Sequence, residues 1–92
     1  MDVPITPHQA LFYDYVTEDL MERRAPHRPA HIGLVREWTA DGRIVMGGAL
    51  GDPPHGALLV FTSGAEDFVA VDPYVSSGIV TAWRIEPWSV VS

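Results

Sequence analysis

The chain has 92 residues, 12 acidic and 6 basic, with 47% hydrophobic and 20% charged side chains and a formal charge of −6. Such figures describe one globular domain over residues 1–92 rather than a disordered segment. With no Cys, Lys or Asn, disulfides, thiolate metal sites, Schiff-base chemistry, a Walker-type phosphate loop and N-glycosylation are all excluded. An acidic chain is poorly suited to nucleic acid, and the longest apolar run, residues 57–61, falls far short of a membrane span. The opening residues show neither the basic nor the apolar region of a signal peptide. The expectation is a soluble cytoplasmic protein that binds neither nucleic acid nor membrane.

Residues 10–16 are β-branched and aromatic, with Asp14 their one charge, and read as a strand. Residues 18–28 form a charged connection with room for one helical turn. A helix begins with Pro29 at its first position and stops at Asp41-Gly42. Ala30, Leu34 and Trp38 form its core-facing stripe at i, i+4, i+8. A second strand covers residues 43–50, weakened by Gly47-Gly48. Residues 51–56 have the turn chemistry of a loop, and residues 57–62 make a third strand, apolar throughout and therefore central. Ser63-Gly64-Ala65-Glu66 fits a capping box that opens a short second helix. That helix ends by Asp72, because a residue before proline is pushed out of the helical region. The last strand spans residues 80–88, with Thr81, Trp83 and Ile85 on one face and Ala82, Arg84 and Glu86 on the other.

The order β-α-β-β-α-β predicts an α+β, ferredoxin-like fold: a four-stranded antiparallel sheet in order 4-1-3-2 with two helices on one face. The bare face is too apolar for solvent, which predicts that a second copy covers it in a homodimer. In this arrangement strands 1 and 2 run toward one end of the sheet, the top. The first helix starts there with His31 in its first turn, and the second climbs back to deliver Asp72. Asp14, Gly47-Gly48 and Tyr74 fall at the same end.

A histidine in the first turn of a helix feels the positive end of the macrodipole, which favours the neutral imidazole that a general base requires. A carboxylate on its other nitrogen sets the tautomer and steadies the imidazolium formed on proton uptake, an opposing effect. Each residue also has a plain structural reading. His31 can face solvent, Asp72 can cap the Asp72-Pro73 turn, Tyr74 can pack in the core, and Gly47-Gly48 can be a bulge instead of space for a ligand. Asp14, if buried on a central strand, needs a partner, for which Arg23, Arg24 and Arg28 are available. No metal is expected, since Pro29 separates His27 from the helix that carries His31. Ser76-Ser77 lacks the setting of a serine nucleophile, and the glycines of residues 47–51 lack dinucleotide spacing, so no cofactor is expected either.

The combination of Arg28-Pro29-Ala30-His31, the Gly47-Gly48 pair and Asp72-Pro73-Tyr74, together with Tyr13-Asp14-Tyr15-Val16 and Glu86-Pro87-Trp88, resembles the YCII-related (YciI-like) family. The resemblance extends over most of the chain. It implies a dimeric α+β barrel with a His–Asp dyad in a pocket, the two positions falling on His31 and Asp72. One branch of that family resembles enzymes that eliminate chloride from chlorinated hydroquinones. The expected function is a cofactor-independent lyase or isomerase acting on a small cyclic, aromatic or polyketide-like molecule. His31 and Asp72 would be catalytic, and Asp14, Arg28, Gly48 and Tyr74 would contact substrate, with Tyr74 or an arginine binding an oxyanion. The alternative is a non-catalytic small-molecule-binding or accessory dimeric protein. Between strands 2 and 3 the connection is shorter than in many relatives, so a substrate contact that they make through a longer loop there is not expected to carry over to this chain.

Overall fold

The computed structural model describes residues 3–92. In chain order it contains β1 (Ile5–Tyr15), α1 (Leu20–Arg24), α2 (Arg28–Ala40), β2 (Ile44–Leu50), β3 (Gly56–Phe61), α3 (Ala65–Val71), α4 (Pro73–Ser76) and β4 (Val80–Val91). The strands form one antiparallel sheet in the order β2-β3-β1-β4, which is the predicted 4-1-3-2 read from the other edge, and the helices lie on one face. Alternation along β1 turns Leu11, Tyr13 and Tyr15 into the core beneath the helices. All of β3 except Leu58 is buried, as its continuous apolar run requires of a strand with neighbours on both sides.

The first and last strands reach further than their central apolar segments suggest. β1 begins at Ile5 and β4 continues to Val91, each running through a proline. Pro7 stands where β1 has only β4 beside it, and Pro87 lies on an edge strand, so both are placed where the sheet tolerates a missing N–H.

Three local expectations are corrected. The Ser63 capping box does not form: Gly64 is the residue preceding α3, with φ 81° and no side-chain cap, which leaves Ser63 one position outside. The Ala65 N–H instead donates to Gln9 Oε1 at 2.9 Å, tying α3 to β1. On α2 the inward stripe runs through His31, Leu34, Val35 and Trp38, and Ala30 is exposed. The irregularity in β2 lies between Ile44 and Met46, while Gly47 and Gly48 pair regularly with Leu59 and Leu58.

The core changes character along the sheet. At the lower end Trp38, Phe61 and Phe68 pack at centroid separations of 5.3–5.9 Å, two of the three contacts edge to face. At the top the aromatic residues are Tyr13, Tyr15, Tyr74 and His31, all with polar atoms. Among the described residues no helix is long and apolar enough to cross a membrane.

Candidate active site

Connectivity brings His31 and Asp72 together at the top of the sheet. His31 is in the first turn of α2 on its buried stripe, and Asp72, 1% exposed, follows α3. Pro73 forces Asp72 out of the helix, to φ −72° and ψ 120°. In this extended conformation its carboxylate accepts the Tyr74 N–H at 3.0 Å and so caps α4. The same oxygen, Oδ1, lies 2.8 Å from His31 Nδ1. The turn-capping and histidine-holding uses of Asp72 are therefore one arrangement. The backbone bond fixes the carboxylate, and the carboxylate fixes the imidazole.

The second carboxylate oxygen is also engaged. Tyr13 donates its hydroxyl to Asp72 Oδ2 at 2.8 Å from the middle of β1. Three donors thus converge on one buried carboxylate, which is how such a charge is tolerated away from water. Because Asp72 only accepts, His31 carries its proton on Nδ1, leaving the Nε2 lone pair free in the neutral ring. Tyr74 stacks on the other side, its ring 3.8 Å from the imidazole centroid and inclined by 3°. The ring of Tyr74 is buried, and its hydroxyl is the one buried side-chain polar atom among the described residues that lacks a hydrogen-bond partner.

These surroundings hold the phenols protonated. Burial raises Tyr13 far above its ordinary range, with the Asp72 charge and hydrogen bond adding to the effect. Burial likewise pushes Tyr15 up to about 12, helped by Tyr74 and Asp72 and opposed by Arg24 and Arg28. Tyr74 is also raised by burial, against the pull of the same two arginines.

A cavity of about 330 Å³ opens beside the imidazole, lined by His31, Tyr74, Tyr15, Arg24, Arg28 and the Gly47–Ala49 segment of β2, among others. Of the predicted contact residues, Arg28, Gly48 and Tyr74 line it. Asp14 does not. Tyr13 and Tyr15 point into the core, so Asp14 between them faces the opposite side of the sheet, exposed, where it borders a shallow hollow with Phe12, Ala82 and Arg84. It has no ion pair with Arg23, Arg24 or Arg28, contrary to the expectation for a buried carboxylate. Tyr13 and Tyr15 have no predicted role, and Arg24, expected only as a partner for Asp14, lines the cavity instead. The signal for Tyr13 was its parity with Tyr15 on the inward face, together with the need of a buried Asp for donors. Among the described residues no group of three His, Asp or Glu side chains is arranged to hold a metal ion.

This sheet order, with helices on one face, defines a ferredoxin-like α+β protein. The chain belongs to the YCII-related family, whose domain model matches residues 9–89. Its fold is similar to that of 5-chloro-2-hydroxyhydroquinone dehydrochlorinase (TftG) from Burkholderia phenoliruptrix AC1100, solved in complex with 2,5-dihydroxybenzoquinone. The two superpose with a TM-score of 0.71 over 88% of this chain and 92% of that one, at 20% sequence identity. No curated protein matches the chain.

Proposed function

We propose that the chain is a small acid–base enzyme of the lyase or isomerase type, acting without a cofactor on a cyclic or aromatic molecule in the cavity beside His31. The observation that carries this reading is the 2.8 Å contact between His31 Nδ1 and Asp72 Oδ1. It leaves Nε2 as the proton acceptor and places a fixed negative charge behind the imidazolium formed when a proton is taken. Asp72 orients His31, Arg28 and Tyr74 contact the substrate, and the backbone of Gly48 lies in the β2 segment against which a ring would rest. The family and the likeness in fold to a dehydrochlorinase support chloride elimination as the reaction to test first.

For a chlorinated hydroquinone that reaction balances within the substrate. A proton is added to the ring carbon bearing chlorine, giving a keto tautomer. Removal of a hydroxyl proton then forms the second carbonyl as chloride leaves with the C–Cl bonding pair. The products are a quinone and HCl. His31 can carry the proton in both steps. A base of this kind contributes roughly 10²–10⁴-fold, and holding the ring in place supplies more.

The test is chloride release and quinone absorbance with 5-chloro-2-hydroxyhydroquinone under anaerobic conditions. Turnover by the wild type that is lost in a folded His31→Ala variant supports the proposal. Unchanged turnover in His31→Ala refutes the role of His31, and binding with no chemical change favours a ligand-binding protein. We also propose that the bare sheet face, where Met46 and Trp88 are exposed beside Phe12 and Leu58, is covered by a second copy. Light scattering that gives the mass of one 10.1 kDa chain at micromolar concentration would refute the homodimer.

A further inference from the structure

The cavity carries positive charge on a chain that is acidic overall. Arg24 ends α1 and Arg28 begins α2, so the short connection between the two helices sets both arginines on the cavity wall. Among the described residues neither has a carboxylate within 4.0 Å; the ion pairs present belong to His31, Arg43 and Arg84. Arg24 is half-buried, so its unpaired state has a cost that a surface arginine does not bear. Both charges reach the Tyr15 and Tyr74 phenols, where they work against the effect of burial. Tyr74, whose buried hydroxyl has no partner, lines the same cavity. Facing it, the Gly47–Ala49 segment of β2 has no side chain longer than a methyl group, and Leu59 and Ile32 add apolar surface.

We propose that the cavity binds a planar, single-ring ligand as its phenolate or enolate, with Arg24 and Arg28 holding the anionic oxygen and the Tyr74 hydroxyl donating to it, while the ring lies against the glycine pair of β2. This deepens the acid–base reading and rests on it for the choice of cavity. In its terms the substrate is selected in its ionised form, and the arginines bear the charge that the ring oxygen holds while His31 handles the proton. Arginine suits this task because its charge is permanent and its donors are arrayed in a plane. Tyr74 suits it because a phenol raised above its ordinary range remains a donor at neutral pH.

The proposal is tested with 4-nitrophenol, which ionises near neutral pH and is yellow only as the phenolate. With protein in excess, absorbance is followed against pH. We expect the bound probe to ionise at least ~10-fold more readily than in water, the equivalent of about 1.4 kcal/mol preference for the anion. Neutral 4-nitroanisole, of similar shape, should bind at least ~10-fold more weakly. Arg28→Gln, on an exposed side chain, and Arg24→Gln should each reduce the shift, and the double variant should abolish it. Tyr74→Phe should reduce the shift while leaving thermal stability unchanged, since the hydroxyl it removes has no partner. The proposal is overturned if the bound probe ionises as in water, if nitroanisole binds equally well, if no probe binds at millimolar concentration, or if a folded double variant keeps the shift. A His31→Ala variant that retains the shift while the wild type shows no turnover would separate the two ideas, with anion binding upheld and the catalytic reading lost.

Discussion

Replacing Asp72 by asparagine isolates its charge from its geometry. The Oδ1 position accepts from both His31 Nδ1 and the Tyr74 N–H, so the amide has a preferred orientation. With its oxygen at that position both bonds survive. Flipped, its NH₂ group would oppose the Tyr74 backbone N–H, and two donors would meet. The asparagine variant should therefore keep the His31 proton on Nδ1. A serine-protease triad behaves differently, because there the same substitution leaves the histidine in the wrong tautomer.

The magnitudes follow from the bonds. A hydrogen bond to a charged acceptor contributes about 1.5–3 kcal/mol, which corresponds to a roughly 10- to 150-fold preference for the Nδ1–H tautomer. A neutral acceptor contributes about 0.5–1.5 kcal/mol, which lowers that preference to roughly 2- to 12-fold. In asparagine the Oδ2 position becomes NH₂, so the Tyr13 hydroxyl loses its acceptor, a change that costs about 1–3 kcal/mol of stability. For a chain of this size each kcal/mol lowers Tm by roughly 4–8 °C. Asp72→Ala removes all three bonds and should cost about 3–5 kcal/mol. Long-range ¹H–¹⁵N correlation spectra of the imidazole, recorded without any ligand, report the tautomer, and thermal melts report the stability. A wild-type His31 with its proton on Nε2, or an asparagine variant in which the proton moves there, would refute the reasoning.

The remaining predictions use the same buried network. Tyr13→Phe removes one of the donors to Asp72 and should lower stability by about 1–3 kcal/mol in chemical denaturation; an unchanged midpoint would show that the bond contributes nothing. Alkaline stability should fall in a defined window. Tyr15 ordinarily ionises at 10.0 and is pushed up to about 12 by burial in the folded chain. Between these values the unfolded state has lost a proton that the folded state keeps, so unfolding is favoured as pH rises. The loss from this group is roughly 2–3 kcal/mol, and Tyr15→Phe should flatten the decline of stability with pH over that window. Gly56 pairs with Asp14, and a Cβ there would collide with the Tyr13 carbonyl oxygen. Gly56→Ala should therefore destabilise by about 1–3 kcal/mol through forced separation of β1 and β3, and a variant with wild-type Tm would contradict that close approach.

The meeting of His31 with Asp72 was legible because strand order and connectivity decide which helix ends share an edge, and proline marks both positions. Pro29 opens the helix of His31, and Pro73 ends the helix before Asp72. The burial of His31 was also available in the pattern, since His31, Leu34, Val35 and Trp38 follow helical spacing. Ala30, one position earlier, starts an equally regular apolar spacing through Leu34 and Trp38, and a histidine carries no mark of burial in the sequence. Asp14 misled for a related reason. Its position on an inner strand suggested burial, but parity with Tyr13 and Tyr15 puts it on the face without helices. Arg24 depends on the path of the chain into α1, where Asp19 adopts φ 55°. A left-handed residue that is not glycine leaves no reliable mark in the sequence.

The polar end of the core has a consequence for how this site can be dissected. At the lower end Trp38, Phe61 and Phe68 are apolar rings packed on one another, while at the top Tyr13, Asp72, His31 and Tyr74 both fill the core and form the proposed site. A substitution at Tyr13 or Asp72 should therefore perturb folding and the proposed chemistry together, and loss of activity in such a variant would not identify a catalytic role. Arg28 and the Tyr74 hydroxyl are different, the first exposed and the second unpartnered. Removing either should alter what the cavity binds while leaving the fold intact, so these two positions, more than His31 or Asp72, can separate recognition from stability.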